Sequence, residues 1–493
     1  MKRSALSIFR LPSLLLALAL ALPGVSLAAA VTFCAGTLVG SGQSFVNYSG
    51  TYSGALASGN YLMTLSQSGP FTIQNLQASW NGIAIGTYQA ITGSSQVTLS
   101  GILPGGLSSG QTVTVTFRIY NILGQLVDVS TTTVSVGGTS PGWTKVWTAT
   151  SQSGVAGYAK HYIGDFDGDG AEDILAVDTG GWMTMFHYRN NDWEWGWSNY
   201  GSTSAGGGIY DYRNNLVIGD FDGDGKDEAL GLASSWVTLF HFDNGTWNWG
   251  WSNYGSTSDQ LYAHSTAGGY LISGNFDLSG NSGSSPFNKD EIVGVSNSGW
   301  ITLFRLNAAG SGWDWLASTN GSTAHGMYPY RSNLRNGGDT NGDGQDELLG
   351  LGGWATTFYY QGGNFNWGWS NYGSGNIAGV GYPQAAGDVM LVGNIDSVDA
   401  KDEWFFIQNG PSAGWATTSD WNGSQFTWNW SNQNYSPAAL AIGDWPLANN
   451  GGSNASYQLV RAVAGQPKHL LARRTFCAKD MRMYRISNTG SNY

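Results

Sequence analysis

The sequence predicts an all-β chain, a β-sandwich followed by a β-propeller, and three observations carry that prediction. The composition is rich in turn formers and aromatics, with 73 Gly, 23 Trp and 24 Tyr against only 11% charged residues, which suits short strands joined by tight turns. A loop of alternating carboxylates, Gly164-Asp165-Phe166-Asp167-Gly168-Asp169-Gly170-Ala171-Glu172-Asp173, returns in altered copies along the chain. Each of the first five copies is followed by a strand opened by tryptophan and then by a strand rich in aromatics, so the repeating unit is larger than the loop. At 493 residues the chain also exceeds what one small core can organise.

Residues 1–29 read as a secretory signal peptide: Lys2, Arg3 and Arg10 precede the apolar run Leu14 to Leu22, and Ser26 to Ala30 offer small residues for cleavage. No later run of 18 apolar residues follows, so the expectation is a secreted or cell-surface protein without a transmembrane segment. Cys34 and Cys477 are the two cysteines, and in an oxidising compartment they either pair or stay as buried thiols; pairing is the favoured expectation.

Residues 31–138 read as strands at Phe71 to Trp80, Ile83 to Ile91, Gln96 to Leu103, Thr112 to Ile122 and Leu126 to Val136, enough for an immunoglobulin-like sandwich. No Asp or Glu occurs from Val31 to Val127, whereas all but Asp128 and Asp480 of the 33 acids fall between Asp165 and Asp444. So acidic a body argues against nucleic acid as a partner and suits bound cations. Residues 139–142 form a linker, residues 143–477 the propeller and residues 478–493 a basic tail.

Within the propeller, Asp165 recurs as Asp220, Asn275, Asp339, Asn394 and Asp444, at steps of 55, 55, 64, 55 and 50 residues. One unit reads as four strands, in the second copy Leu216 to Phe221, Ala229 to Ala233, Trp236 to Phe242 and Thr246 to Ser252, which is the blade of a propeller. The sixth unit supplies Ala439 to Trp445, Tyr457 to Ala464 and His469 to Thr475 and lacks a fourth strand, which Trp143 to Thr148 is expected to complete. Six blades follow, or seven if the tail after Cys477 is counted differently.

The first loop spaces oxygen ligands at Asp165, Asp167, Asp169 and Asp173, with the backbone carbonyl of Ala171 between the last two. Like charges this close repel unless a cation neutralises them, and calcium takes six to eight such oxygens. The second loop offers Asp220, Asp222, Asp224, the carbonyl of Lys226, and Glu228; the fourth offers Asp339, Asn341, Asp343, the carbonyl of Gln345, and Glu347. An EF-hand is excluded, because its closing glutamate is replaced by Ala176, Gly231 and Gly350. Blade five, with Asn394, Asp396, Asp399 and Glu403, is a weaker fourth candidate, and blades three and six are expected to hold none.

With these loops the region from about 143 to 475 resembles the FG-GAP, or VCBS, repeat family, which includes the propeller repeats of integrin α-chains. The resemblance implies calcium held by the loops just named and a role in adhesion or recognition.

Two surfaces are candidates for recognition. The aromatic strand places Trp195 and Trp197, Trp249 and Trp251, and Trp367 and Trp369 at alternate positions, read either as packing between blades, the favoured expectation, or as stacking platforms for sugar rings. The loops before the first strands of two blades carry Tyr210, Tyr212 and Arg213, and Tyr328, Tyr330 and Arg331, suited to a glycan or simply to covering a blade edge. No catalytic residues are assigned: His187 and His241 occupy equivalent repeat positions and read as ordinary strand residues. The expected function is a secreted, calcium-stabilised recognition or adhesion module for a glycan or surface protein. A polysaccharide hydrolase or lyase, or a purely structural repeat, is the alternative.

Overall fold

A computed structural model describes residues 31–33, 37–38, 45–52, 59–80, 83–91, 95–102, 111–136, 143–148, 154–265, 268–278, 289–320, 326–352, 354–372, 389–396, 399–408, 415–431, 455–474 and 481–486. The signal segment, Cys34, Cys477 and Asp444 lie outside them. The chain divides into two compact units, Met1–Ser135 and Val136–Tyr493.

The first unit is a pair of five-stranded antiparallel sheets. One orders Val31–Phe33, Phe45–Tyr52, Ser95–Ile102, Gln74–Trp80 and Ile83–Ala84; the other orders Thr37–Leu38, Leu126–Val136, Thr112–Asn121, Gly59–Ser68 and Tyr88–Ile91. Alternate residues of both, among them Met63, Trp80, Val97, Leu99, Val113, Val115 and Phe117, form one buried core. The expected single strand from Ile83 to Ile91 divides between the two sheets, with Gly86 at φ +118° at the crossing. Phe45–Tyr52 and Gly59–Ser68 are further strands that composition alone left unassigned.

Among its described residues the second unit has six four-stranded antiparallel sheets. Sheets one to five are chain-ordered meanders whose first strands are Lys160–Gly164, Leu216–Gly219, Tyr270–Gly274, Leu334–Gly338 and Val389–Gly393. Their second strands begin at Asp173, Glu228, Glu291, Glu347 and Glu403, so the carboxylate loop joins strand one to strand two each time. Neighbouring first strands lie against one another in cyclic order, that of sheet six touching sheet one, which is the architecture of a β-propeller.

The sixth sheet corrects the expected strand assignment. Its strands are Ala455–Val460, His469–Arg474, Met481–Ile486 and, from the start of the unit, Trp143–Thr148, which pairs with Met481–Ile486. The N-terminal strand thus closes the sheet as expected, but the presumed tail supplies the third strand. Arg461, following strand one, stands where the other sheets carry Asp165, Asp220, Asn275, Asp339 and Asn394, so the sixth repeat mark is Arg461 rather than Asp444. The signal was hidden because bases replace the acids there.

One residue in each loop latches its sheet to the one before. The N–H groups of Asp227, Asp290, Asp346 and Asp402 donate to the carbonyls of Asp165, Asp220, Asn275 and Asp339, at 2.7 to 2.9 Å. Each of these four carboxylates in turn accepts the N–H of the same partner, at 2.7 to 3.2 Å. Glu172 does the same for Arg461, while at the remaining joint Lys468 keeps only the backbone bond, to Asn394. A side chain on the residue ending strand one would collide with this latch: a Cβ on Gly219 would stand 2.6 Å from Asp290 Oδ2. That explains the Gly-Asp or Gly-Asn pair that opens the loop in sheets one to five.

Candidate metal centres

In sheets one, two and four the first aspartate folds its own loop. Asp165 accepts the N–H groups of Gly168 and Gly170, Asp220 those of Gly223 and Gly225, and Asp339 those of Gly342 and Gly344, all at 2.7 to 2.9 Å. These glycines sit at positive φ, between +78° and +90°, where a β-carbon is strained. The loop thereby curls with its remaining carboxylates facing inward. Ligand atoms of Asp220, Asp222, Asp224 and Glu228 lie within 4.8 Å of one another, as do those of Asp165, Asp167 and Asp169.

The residue that closes each loop starts strand two and is buried, at 2% exposure for both Asp173 and Glu228. Glu228 spends one oxygen on the N–H of Phe221 at 2.8 Å, and Glu347 holds Thr340 and, at 2.6 Å, the Asn341 amide. Asp173, shorter by one methylene, has one oxygen on His187 and the other buried without a partner. Burial drives these carboxyls upward, Asp173 to about 7, Glu228 to about 8 and Glu347 to about 7, although hydrogen bonds from His187, His241 and Thr340 pull the other way. The donors are hard oxygens, several buried among like charges and one orphaned, and such a set fits a divalent cation. For the backbone carbonyls of Ala171, Lys226 and Gln345 the outcome is narrower: their N–H groups donate to Asp169, Asp224 and Asp343, which fixes the turn they belong to.

A strand-three residue that sequence reading passed over faces every described loop of this kind. His187 Nδ1 stands 2.7 Å from Asp173 and 3.3 Å from Asp167, and His241 Nδ1 stands 3.4 Å from Glu228 and 3.7 Å from Asp222. At the matching place in sheet three Arg305 bridges Asp277 at 2.7 Å and Glu291 at 2.8 Å. In sheet five Asp420 joins Asp396 and Glu403, whereas Asp399, expected as a ligand, turns to Lys401 at 3.0 Å. In sheet four Tyr359 lines a cavity of about 400 Å3 with Asn341, Glu347, Gly368, Trp369 and Trp421. The signal in the sequence was the repeat position itself, read as a strand residue because its type changes from copy to copy.

The alternate tryptophans of strand four do not share one environment. The first, Trp193 or Trp247, is buried, the latter edge-on to Phe166 and Phe242. The middle one is exposed in four sheets, Trp195 by 67%, Trp249 by 45%, Trp315 by 55% and Trp367 by 60%. A register shift then follows, after which Trp197 is buried and Trp251 and Trp369 are half-buried. Packing and display are thus divided between neighbouring positions of one strand.

The tyrosine loops divide likewise. The Tyr212 and Tyr330 hydroxyls bond Thr238 and Thr356 at 2.9 and 2.8 Å while their rings pack on Phe240 and Phe358, so both are structural. Arg213 lies over the Tyr210 ring at 3.9 Å and Arg331 over Tyr328 at 4.0 Å, and Tyr210 also meets Trp182.

Comparison with known proteins adds a family match: residues 165–231 fit the model of the FG-GAP-like repeat, so the chain carries at least one such repeat in its first two sheets. No curated protein matches the sequence. Among solved structures the chain is similar to BBS1N in complex with ARL6DN, at 9% identity over 70% of this chain and 98% of that one, with a TM-score of 0.35. It is also similar to the PL11 rhamnogalacturonan lyase of Bacillus licheniformis, at 13% identity over 93% and 90%, with a TM-score of 0.32. A third is the β-propeller domain of Vanderwaltozyma polyspora Nup133, at 8% identity over 76% and 91%, with a TM-score of 0.31.

Proposed function

We propose that the chain is an extracytoplasmic recognition or adhesion module: an immunoglobulin-like sandwich joined to a calcium-stabilised propeller that presents aromatic side chains to a glycan. The observation that carries this reading is the row of exposed indoles, Trp195, Trp249, Trp315 and Trp367, at one equivalent position in four sheets. Packing does not account for indoles left 45 to 67% exposed, whereas a ring face open to solvent suits the apolar face of a sugar. Repetition around the propeller gives several weak sites on one body, which suits avidity for a repeating polymer.

Calcium, in this reading, is structural. Asp165, Asp167, Asp169 and Asp173, Asp220, Asp222, Asp224 and Glu228, and Asp339, Asn341, Asp343 and Glu347 would hold it, and it would supply the positive charge that the loops lack. At a dissociation constant of about 10⁻⁴ to 10⁻³ M and millimolar calcium, each site would add roughly 0.4 to 1.4 kcal/mol. The test is a glycan array probed with the full chain in calcium and in chelator, alongside a Trp195→Ala, Trp249→Ala double variant. Binding that weakens in the variant supports the reading. No binding to any glycan in calcium overturns it, and turnover of a labelled polysaccharide favours an enzyme instead.

A further inference from the structure

The same pair of loop carboxylates meets a different strand-three residue in successive sheets: His187, His241, then Arg305. In the third sheet a guanidinium fills the place, bonded to both carboxylates and to the Asp277 carbonyl at 2.8 Å, so the arrangement accommodates a cationic group at that point. In the first two sheets the place is held by imidazole, which is also a metal ligand. We infer that Asp167, Asp173 and His187, and separately Asp222, Glu228 and His241, form mixed nitrogen–oxygen sites for a borderline divalent cation of the zinc or cobalt class. This rests on the reading that the loops bind cations and narrows it for sheets one and two, where an imidazole nitrogen lets a borderline ion compete with calcium for the shared carboxylates.

Three observations support it. Ligand atoms of each trio converge within 4.8 Å. Bonds of about 2.1 Å at tetrahedral angles place ligand atoms about 3.4 Å apart, and the separations of 3.3, 3.4 and 3.7 Å from the histidines to Asp167, Glu228 and Asp222 are close to that. The shorter 2.7 Å contact between His187 Nδ1 and Asp173 is a hydrogen bond that must open when a metal replaces the proton. The independent sign of a missing ligand is Asp173 itself, 2% exposed, with its second oxygen buried and unpartnered.

The backbone is also adapted to the ring. A β-carbon on Gly196 or Gly250 would stand 2.4 or 2.5 Å from the Nε2 of His187 or His241, so the Trp-Gly-Trp run leaves the space that imidazole occupies. Nδ1 is then the atom turned to the carboxylates.

The test titrates the full chain with cobalt(II) in saturating calcium, following visible ligand-field absorption and the heat of binding. Two equivalents of cobalt are expected. His187→Gln, which keeps a donor for Asp173, and His241→Gln should each remove one equivalent or weaken it by about tenfold or more. Gly196→Ala, which displaces the ring without removing it, should weaken the first site alone. Matching thermal unfolding would show that each variant folds. No cobalt uptake over calcium, or uptake unchanged in the double histidine variant, overturns the inference while leaving the calcium reading intact. Failure of calcium and cobalt alike overturns both.

Discussion

In the third sheet Arg305 lies between Asp277 and Glu291 at 2.7 and 2.8 Å, whereas in the second His241 stands 3.7 and 3.4 Å from the matching pair, Asp222 and Glu228. The two sheets share a strand order and a closing glutamate that is buried in both; they differ in the source of positive charge and in the loop itself. Sheet three carries its cation covalently. It has also lost the loop that would hold an external one, since Asn275 replaces the first aspartate and residues 278–289 are inserted before strand two. Sheet two keeps four carboxylates converging and sets an imidazole rather than a guanidinium against its closing glutamate, an arrangement suited to an ion from solution. The difference teaches that the loop is an electrostatic joint first: whatever occupies it must balance buried carboxylates that the fold places there.

The largest effect should come from breaking the sheet that balances itself. Arg305→Ala leaves Glu291, which is fully buried, without its partner and should cost about 3 to 5 kcal/mol, read by denaturant unfolding at fixed calcium. That loss should be insensitive to chelator, because the third sheet does not depend on an ion. A smaller effect should follow from crowding the latch common to both sheets: Gly219→Ala brings a methyl to 2.6 Å from Asp290 Oδ2 and should cost about 1 to 3 kcal/mol.

Chelation should cost less again, about 1 kcal/mol for each occupied site, and should act on sheets one, two and four. Acidity sharpens the contrast in chelated protein. Burial raises Asp227 to about 7, Glu228 to about 8 and Asp346 to about 6, so the folded protein holds these protons more tightly than the unfolded chain does. Their contribution is therefore present at low pH and lost as pH rises through these values. Chelated protein should melt higher at pH 6 than at pH 8, and calcium should flatten that slope; a slope unaffected by calcium would separate the raised carboxyls from cation binding. Least of all, Trp195→Ala should change stability by no more than about 0.5 kcal/mol while weakening glycan binding, since its indole stands in solvent.

Much of the fold was legible because the loop and strand four repeat in the same order. Asp220 and Trp247 mark their places in the second sheet as Asp165 and Trp193 do in the first. The sixth sheet was misread because Arg461 and Lys468 invert the charges of the equivalent residues, so no acidic mark survives to set the register. Lys468 instead reaches Glu172 of the first sheet at 2.8 Å, closing the ring by an ion pair. The loop ligands of the site were visible as carboxylates at alternate positions, but their strand-three partners were not. Histidine, arginine, tyrosine and aspartate share nothing in sequence there, and only the antiparallel pairing of strands two and three brings His241 or Arg305 to a carboxylate more than a dozen residues earlier. The division of the tryptophans was hidden for a related reason: a register shift within strand four breaks the strict alternation from which one common face was expected.

The most direct measurement of the joint is calorimetric unfolding of the full chain in calcium and in chelator, with the Asp167→Ala, Asp222→Ala double variant run beside it. The melting temperature of the wild-type chain should fall on chelation, and the double variant should lose most of that response. A wild-type transition that is the same with and without calcium would contradict the account.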